Sequence, residues 1–245
     1  MSLKAKSVLF WVISESRIII RKLQTPEKIP PIANHINIEI ESFGLTKMLE
    51  IGSDLGLLVE SIHINRIFAV DPIRNYKIPF KFRHIKFFEM TSDEFFRHCK
   101  EDFDLIYVDG LHTFDQSFTD LINAMGRLRD GRPSLIYLDD VLPNDEFSSL
   151  ENPHDTFEGR KKLHGHLNDL SWMGSVYKII PLLVECELSY TTLNLDGKYV
   201  TRIKFDHNNN TDILNMRSKL LAAKKNINLK NFSFKDINLE HYKLI

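Results

Sequence analysis

Short apolar runs alternate with amphipathic stretches along most of the chain. The runs are brief, continuous and rich in β-branched and aromatic residues, which predicts strands at 47–51, 66–70, 85–88, 104–108 and 134–138. The stretches between them predict helices at about 54–62, 91–99 and 113–128. Strict alternation of this kind is typical of a parallel, doubly wound sheet with helices on both faces.

The pattern changes outside this alternating region. Further helices are predicted at 1–24, 32–43, 172–185 and 211–225, the third of them interrupted by Pro181. Two alternating runs, 190–195 and 198–205, flank Asp196-Gly197 and predict a hairpin. The polar end of the chain is expected either to dock on a neighbour or to stay loose.

These changes divide the chain into three parts. We expect a helical extension at 1–44, a core at 45–207 and a helical tail at 208–245. Within the core, residues 141–170 are polar and irregular, which is typical of a lid-like insertion over a functional site.

Composition narrows the class of protein. The chain has 245 residues, 43% of them hydrophobic, which is enough for the core of one α/β domain with additions. A net charge of −1 gives no reason to expect nucleic-acid or membrane partners. The two cysteines argue against a disulfide scaffold and favour a cytoplasmic setting. The apolar run at 7–14 is too short for a membrane span and lacks a signal-peptide cleavage site, so the first helix is expected to pack on the body or on another subunit as a homo-oligomer contact.

Acidic residues follow two neighbouring strands of the predicted sheet. Asp109 and His112 come after strand 104–108, and Asp139 and Asp140 after strand 134–138. Ligands of open α/β sheets sit beyond the carboxyl ends of the strands, so one shared site is expected here. A single Asp at a strand end more often caps the following helix. Three carboxylates with a histidine favour a Mg²⁺ site, with His112 as the base that accepts a proton from a hydroxyl.

The turn after the first strand has the features of a nucleoside site. Gly52 permits a tight turn and Gly56 a close approach of helix to ligand, while Asp71 ends the second strand where a carboxylate can hold ribose hydroxyls. Asp54 occupies the position of the middle glycine in the dinucleotide motif, which disfavours a pyrophosphate. A nucleoside that carries an amino acid suits this turn better.

With these residues in place, the chain resembles class I S-adenosylmethionine-dependent methyltransferases over about residues 45–205. Their E-x-G-x-x-x-G motif matches Glu50, Gly52 and Gly56. The resemblance implies a Rossmann-like, mostly parallel seven-stranded sheet that ends in an antiparallel hairpin. It also implies a set of cofactor-binding residues, namely Glu50, Gly52, Ser53, Gly56, Asp71, Thr91, Ser92 and Asp109.

Within that class the chain is similar to metal-dependent small-molecule O-methyltransferases. Asp109, Asp139 and Asp140 match the metal ligands of the catechol O-methyltransferase type. The Asp109-x-x-His112 element and the segment 172–178 resemble the macrocin type, which methylates sugars. The resemblance implies His112 as catalytic base and a hydroxylated small molecule, a sugar, glycoside or phenol, as acceptor.

Three alternatives remain open at this stage. One is an NAD-type oxidoreductase on a similar sheet, which Asp54 disfavours. Another is a non-catalytic binding or assembly protein that keeps the fold. The last is a methyltransferase that needs no metal.

Overall fold

A computed structural model describes residues 29–75, 83–165, 169–206, 210–229 and 231–245. The helix predicted at 1–24 lies outside these ranges. The strands are β1 (Lys47–Ile51), β2 (Arg66–Asp71), β3 (Ile85–Glu89), β4 (Leu105–Val108), β5 (Ser134–Leu138), β6 (Tyr190–Leu195) and β7 (Lys198–Phe205). The helices are α1 (Pro31–Phe43), α2 (Leu57–Ser61), α3 (Ser92–His98), α4 (Phe114–Met125), α5 (Pro153–His164), α6 (Ile180–Glu185) and α7 (Asn210–Asn226).

The strands form one seven-stranded sheet in the order β3-β2-β1-β4-β5-β7-β6. β7 runs antiparallel to both β5 and β6, and the other neighbouring pairs are parallel. This arrangement confirms the predicted Rossmann-like, mostly parallel seven-stranded sheet that ends in an antiparallel hairpin. The last residues of β1, β4 and β5 lie side by side, Ile51 opposite Val108 and Val108 opposite Leu138. The residues that follow these strands therefore meet at one edge of the sheet.

Two apolar clusters enclose the sheet, one on each face. Leu49 and Ile106 pack with Leu121 of α4 on one face. Met48 and Leu105 pack with Ile36 of α1 on the other. Because neighbouring residues of the central strands are buried on opposite faces, these strands read as continuous apolar runs in the sequence.

Two helices differ from the sequence prediction. The segment 141–170 is not irregular throughout, because α5 occupies Pro153–His164, with Asn152 capping its first turn and Gly165 in the left-handed conformation at its end. Pro181 does not interrupt a helix; it lies in the first turn of α6, where its missing N–H is tolerated. A 3-10 turn, Val176–Ile179, precedes α6.

The end of the chain packs on its own sheet. The N–H of Thr192 in β6 donates to the carbonyl of Lys243 at 3.2 Å, and the N–H of Ile245 donates to the carbonyl of Thr192 at 3.0 Å. Tyr242 is buried and its hydroxyl donates to the carbonyl of Val141 at 3.0 Å. Across the described ranges, no helix is both long and apolar enough to cross a membrane.

Candidate functional site

The turn after β1 is shaped by contact with the end of β4. Gly52 has φ +82°, and a Cβ at this position would lie 1.8 Å from the carbonyl oxygen of Asp109. Gly52 also donates its N–H to Val70 at 2.8 Å, which ties the turn to β2. Gly56, with φ +73°, then starts α2. The strain that any side chain would meet at Gly52 explains why this turn needs glycine.

Asp71 is held against that turn. One of its carboxylate oxygens accepts the N–H of Asp54 at 3.0 Å, and the other accepts the N–H of Ile73 at 2.9 Å. Burial raises the pKa of Asp71, and these two hydrogen bonds oppose the rise. The carboxylate predicted to hold ribose therefore sits beside the glycine turn in a fixed orientation.

Glu50, near the end of β1, is a buried carboxyl group with unused bonding capacity. The residue is 3% exposed, and its Oε2 has no hydrogen-bond partner among the described residues. The same is true of the Ser53 hydroxyl. Burial raises the pKa of Glu50 well above its ordinary value, and the carboxylates of Asp109 and Asp71 raise it further. A buried polar group without a partner is unfavourable unless a ligand satisfies it.

Thr91 and Ser92, predicted to flank adenine, lie at the start of α3. Thr91 caps this helix through a reciprocal pair of hydrogen bonds with Glu94. The Ser92 hydroxyl accepts from Gln116 of α4 at 3.3 Å. Gln116 also donates to Asp120, a fully buried residue whose pKa burial raises to about 6. The sequence pattern did not single out Asp120, because a carboxylate on a helix is usually solvated.

His112 lies between two of the predicted carboxylates. Its Nε2 is 3.3 Å from Asp109 Oδ1, and its Nδ1 is 3.2 Å from Asp140 Oδ2. Burial disfavours a charged imidazole here, but Asp140 and Asp109 outweigh it and raise the pKa of His112 to about 9. Nδ1 is also 2.9 Å from the carbonyl oxygen of Trp172, which can only accept, so Nδ1 carries a proton.

The segment 172–175 fixes the imidazole in this position. The Trp172 ring stacks on the His112 ring with centroids 5.0 Å apart and 24° between the planes. A Cβ on Gly174, which has φ +62°, would lie 1.7 Å from the carbonyl oxygen of His112. That carbonyl accepts the N–H of Ser175 at 3.0 Å. The segment 172–178, which resembles the macrocin type in sequence, thus contacts His112 directly.

Asp139 and Asp140 occupy different surroundings although they are adjacent in sequence. Asp139 is buried; its Oδ2 accepts from the hydroxyl of Tyr107 at 2.7 Å and lies 2.7 Å from the ammonium of Lys198. Its Oδ1 accepts the N–H of Asp140 at 2.8 Å. Burial and the Asp109 carboxylate raise the pKa of Asp139, while Lys198 opposes the rise. Asp140, in contrast, turns toward His112.

The donor atoms of Asp109, His112 and Asp140 fit a divalent cation. One atom from each of these residues lies within 4.8 Å of the others. Carboxylate oxygens suit Mg²⁺ or Mn²⁺, so Asp109 and Asp140 could hold such an ion with the His112 imidazole beside it. This grouping differs from the predicted set of three carboxylates, since Asp139 is engaged with Lys198 and Tyr107.

Helix α5 holds the segment that leads to Trp172. Arg160 is 2% exposed and makes a bidentate contact with Asp145. Its other nitrogen donates to the carbonyls of Asp169 and Ser171 at 3.2 and 2.6 Å. Arg160 therefore joins both ends of the loop region that surrounds α5.

Lys198 and Arg160 were missed by sequence reasoning. The hairpin at Asp196-Gly197 was recognised, but the position of Lys198 depends on the pairing of β7 with β5, where Thr201 lies opposite Leu138. That register puts the amino end of β7 beside the carboxyl end of β5. Only this strand register, which the sequence does not reveal, places Lys198 at the site.

No family model matches the sequence, and no curated protein matches it. Three structures with a similar arrangement of the chain are known methyltransferases or are provisionally described as such.

The first of these, from Staphylococcus aureus, is provisionally described as a caffeoyl-CoA O-methyltransferase. It has a TM-score of 0.49 at 14% identity, with 83% of this chain and 100% of that one covered. An O-methyltransferase from Bacillus cereus in complex with S-adenosylhomocysteine has a TM-score of 0.44 at 14% identity, with 78% of this chain and 89% of that one covered. The N-methyltransferase NodS from Bradyrhizobium japonicum has a TM-score of 0.42 at 17% identity, covering 70% and 92%. Similarities this weak carry no argument about activity, so the function has to be argued from the site.

Proposed function

We propose that this protein is an S-adenosylmethionine-dependent O-methyltransferase acting on a hydroxyl of a small molecule, a sugar, glycoside or phenol. The observation that carries the proposal is the buried carboxyl of Glu50, which lacks a partner among the described residues and lies beside the Gly52 turn. N–H donors or a positive charge on a ligand would satisfy this carboxyl and stabilise its charged form. The amino group and sulfonium of S-adenosylmethionine bring both.

The charge of the site supports a cationic ligand over a dinucleotide. Four further carboxylates, those of Asp109, Asp71, Asp139 and Asp54, are close enough to raise the pKa of Glu50. Phosphates placed in this field would be repelled, whereas a sulfonium would be attracted. The NAD-type oxidoreductase is therefore disfavoured.

The residues of the chain then have separate tasks. S-adenosylmethionine, when bound, supplies an electrophilic methyl group. Asp71 would hold the ribose hydroxyls, and Glu50 would receive the amino group of the methionine part. His112 would accept the proton of the acceptor hydroxyl at Nε2, while the carbonyl of Trp172 keeps the other proton on Nδ1.

His112 would need a lowered pKa for this task, which a divalent cation beside it would supply. Asp109 and Asp140 raise the pKa of the imidazole to about 9, so without metal it is protonated at neutral pH. Mg²⁺ at these two carboxylates would offset their charge and would acidify a hydroxyl bound beside it. We therefore include Mg²⁺, held by Asp109 and Asp140, in the proposed function.

The cofactor half of the proposal is tested by calorimetric titration with S-adenosylhomocysteine. We expect the wild-type chain to bind it, and Glu50→Gln and Asp71→Asn each to weaken binding about tenfold or more, since each loses a charge-assisted contact worth about 1.5–3 kcal/mol. Asp93→Asn is the matched control, because Asp93 is an exposed carboxylate in the first turn of α3. Equal affinity of Glu50→Gln and wild type would contradict the proposed role of Glu50, and no binding at all would remove the methyltransferase.

The metal half is tested with methyl transfer to a panel of sugars and catechols. We expect chelation with EDTA to abolish transfer and added Mg²⁺ to restore it. Asp140→Asn should lower kcat more than Asp139→Asn, because Asp140 belongs to the group of donor atoms around His112. Unchanged methyl transfer by the double variant Asp139→Asn/Asp140→Asn would show that no metal acts through these residues.

A further inference from the structure

Lys198 brings a positive charge into the acidic site from a distant part of the sequence. It is the first residue of β7, directly after the turn at Asp196-Gly197. Because β7 is antiparallel to β5, the start of β7 lies beside the end of β5, where Asp139 and Asp140 follow. The hairpin therefore delivers an ammonium group to the proposed metal site.

The contacts of Lys198 explain why Asp139 stands outside the group of metal-ligand atoms. Its ammonium is 2.7 Å from Asp139 Oδ2, which also accepts the hydroxyl of Tyr107. The other oxygen of Asp139 accepts a backbone N–H. With both oxygens engaged, Asp139 has little capacity left for a cation.

The same ammonium would oppose a cation at Asp109 and Asp140. A divalent ion there and the charged lysine would repel each other across a short distance in a partly buried site, where such repulsion is weakly screened. The side chain of Lys198 is 49% exposed, while that of Asp139 is 1% exposed. Lys198 can thus turn toward water on its flexible stem, and Asp139 cannot follow it.

We propose that Lys198 is a tethered cation that competes with the divalent metal ion for this carboxylate cluster and so sets the metal affinity of the site. The inference rests on the metal-dependent function proposed above. When Lys198 holds Asp139, its ammonium offsets the charge of that carboxylate without metal. When Lys198 turns out, Asp139 becomes available as the third carboxylate that the sequence predicted.

The test is the affinity of the full chain for Mn²⁺, followed by the electron paramagnetic resonance signal of the free ion. We expect Lys198→Met to bind Mn²⁺ about tenfold more tightly than wild type, because it removes the competing charge. Lys198→Arg should stay within about twofold of wild type, because it keeps that charge. Lys204→Met is the matched control, since Lys204 lies on the same strand and forms an ion pair of 2.8 Å with Asp206, away from the acidic cluster.

The possible results separate this inference from the proposed function. Wild-type binding with equal or weaker binding by Lys198→Met would overturn the role of Lys198 and leave the metal site standing. Absence of binding in every variant would overturn both, while binding of S-adenosylhomocysteine would still support the methyltransferase. Lys198→Gln serves as a second charge-removing variant, and thermal unfolding shows that each variant is folded.

Discussion

At the scale of single residues, His112 shows how neighbours decide the state of a titratable group. Its imidazole contacts Asp109, Asp140 and the carbonyl of Trp172, three acceptors that favour the protonated form. Its pKa is raised to about 9, so in the metal-free protein it is a cation near neutral pH. A base in this position has to be released by a change in the surrounding charge.

We expect this release to be visible by nuclear magnetic resonance. The ring protons of His112, assigned with His112→Gln, should titrate with a pKa of about 9 in EDTA. Saturating Mg²⁺ should lower that pKa, because the cation offsets the two carboxylates. A value near the ordinary ~6.5 in EDTA would contradict the arrangement.

The same shift predicts how stability depends on pH. Because the folded-state pKa lies above that of the unfolded chain, the contribution is fully present below about pH 6.5 and is lost as the pH rises through about 9. A shift of this size corresponds to on the order of 3 kcal/mol. In urea unfolding in EDTA, the stability difference between wild type and His112→Gln should therefore shrink as the pH rises from about 6.5 to about 9.

The sequence could identify these residues but not their grouping. Asp109 and His112 were predicted because they follow a continuous apolar run at the end of a central strand. Asp139 and Asp140 are consecutive, and a strand pattern that ends before them does not say which side chain faces the site. The left-handed conformation of Asp140, with φ +55°, is a property of the folded turn. The choice between them follows from contacts with Lys198 and Tyr107, which are remote in sequence.

At the scale of elements, α5 depends on one buried side chain. Its hydrophobic residues are few, and only Thr156 and Arg160 are buried within it. Arg160 supplies the contact that an apolar face supplies in most helices, since its guanidinium joins Asp145, Asp169 and Ser171. The loop that it closes leads directly to Trp172.

We expect Arg160→Ala to disturb the site at a distance. It should lower the free energy of unfolding by about 3 kcal/mol, at the lower end for a buried ion pair because the partner carboxylates are half exposed. It should also lower the pKa of His112 by loosening Trp172, whereas the affinity for S-adenosylhomocysteine should not change. Lys161→Ala, which removes a neighbouring exposed cation of the same helix, is the control. If the pKa of His112 in Arg160→Ala equals that in wild type, Arg160 acts on stability alone.

Elements with a strong pattern were predicted closely, and α5 was not. The strands were correct to within about a residue because burial on both faces gives short apolar runs bounded by polar residues. Helix α5 has no such pattern, since its sequence is polar on nearly every side. Its stability comes from a tertiary contact, which a local pattern cannot reveal.

At the scale of the whole molecule, the end of the chain is part of the site's support. Tyr242 inserts into the core and bonds the carbonyl of Val141, the residue that follows Asp140. Tyr190 of β6 donates its hydroxyl to the carbonyl of His241. The tail thereby joins the hairpin to the loop after β5.

We expect Tyr242→Ala to reduce the free energy of unfolding by about 3 kcal/mol, the usual loss for a buried aromatic side chain. Tyr242→Phe should lose about 1 kcal/mol, because it keeps the packing and gives up one hydrogen bond. Leu239→Ala is the control, since Leu239 is largely exposed. Urea unfolding measures all three; a neutral Tyr242→Ala would mean that the tail contributes nothing to the fold.

The tail also decides which edge of the sheet other chains can reach. β6 is an outer strand of the sheet, and the tail covers part of it: the N–H and carbonyl of Thr192 both bond to tail backbone, and the N–H of Asn194 bonds to Ile245. An outer strand with unpaired backbone groups is a template for strands of other molecules. A molecule whose tail has lifted off would therefore expose these groups to the tail of a second copy, and exchange of tails into swapped dimers is the association to expect when the protein is concentrated.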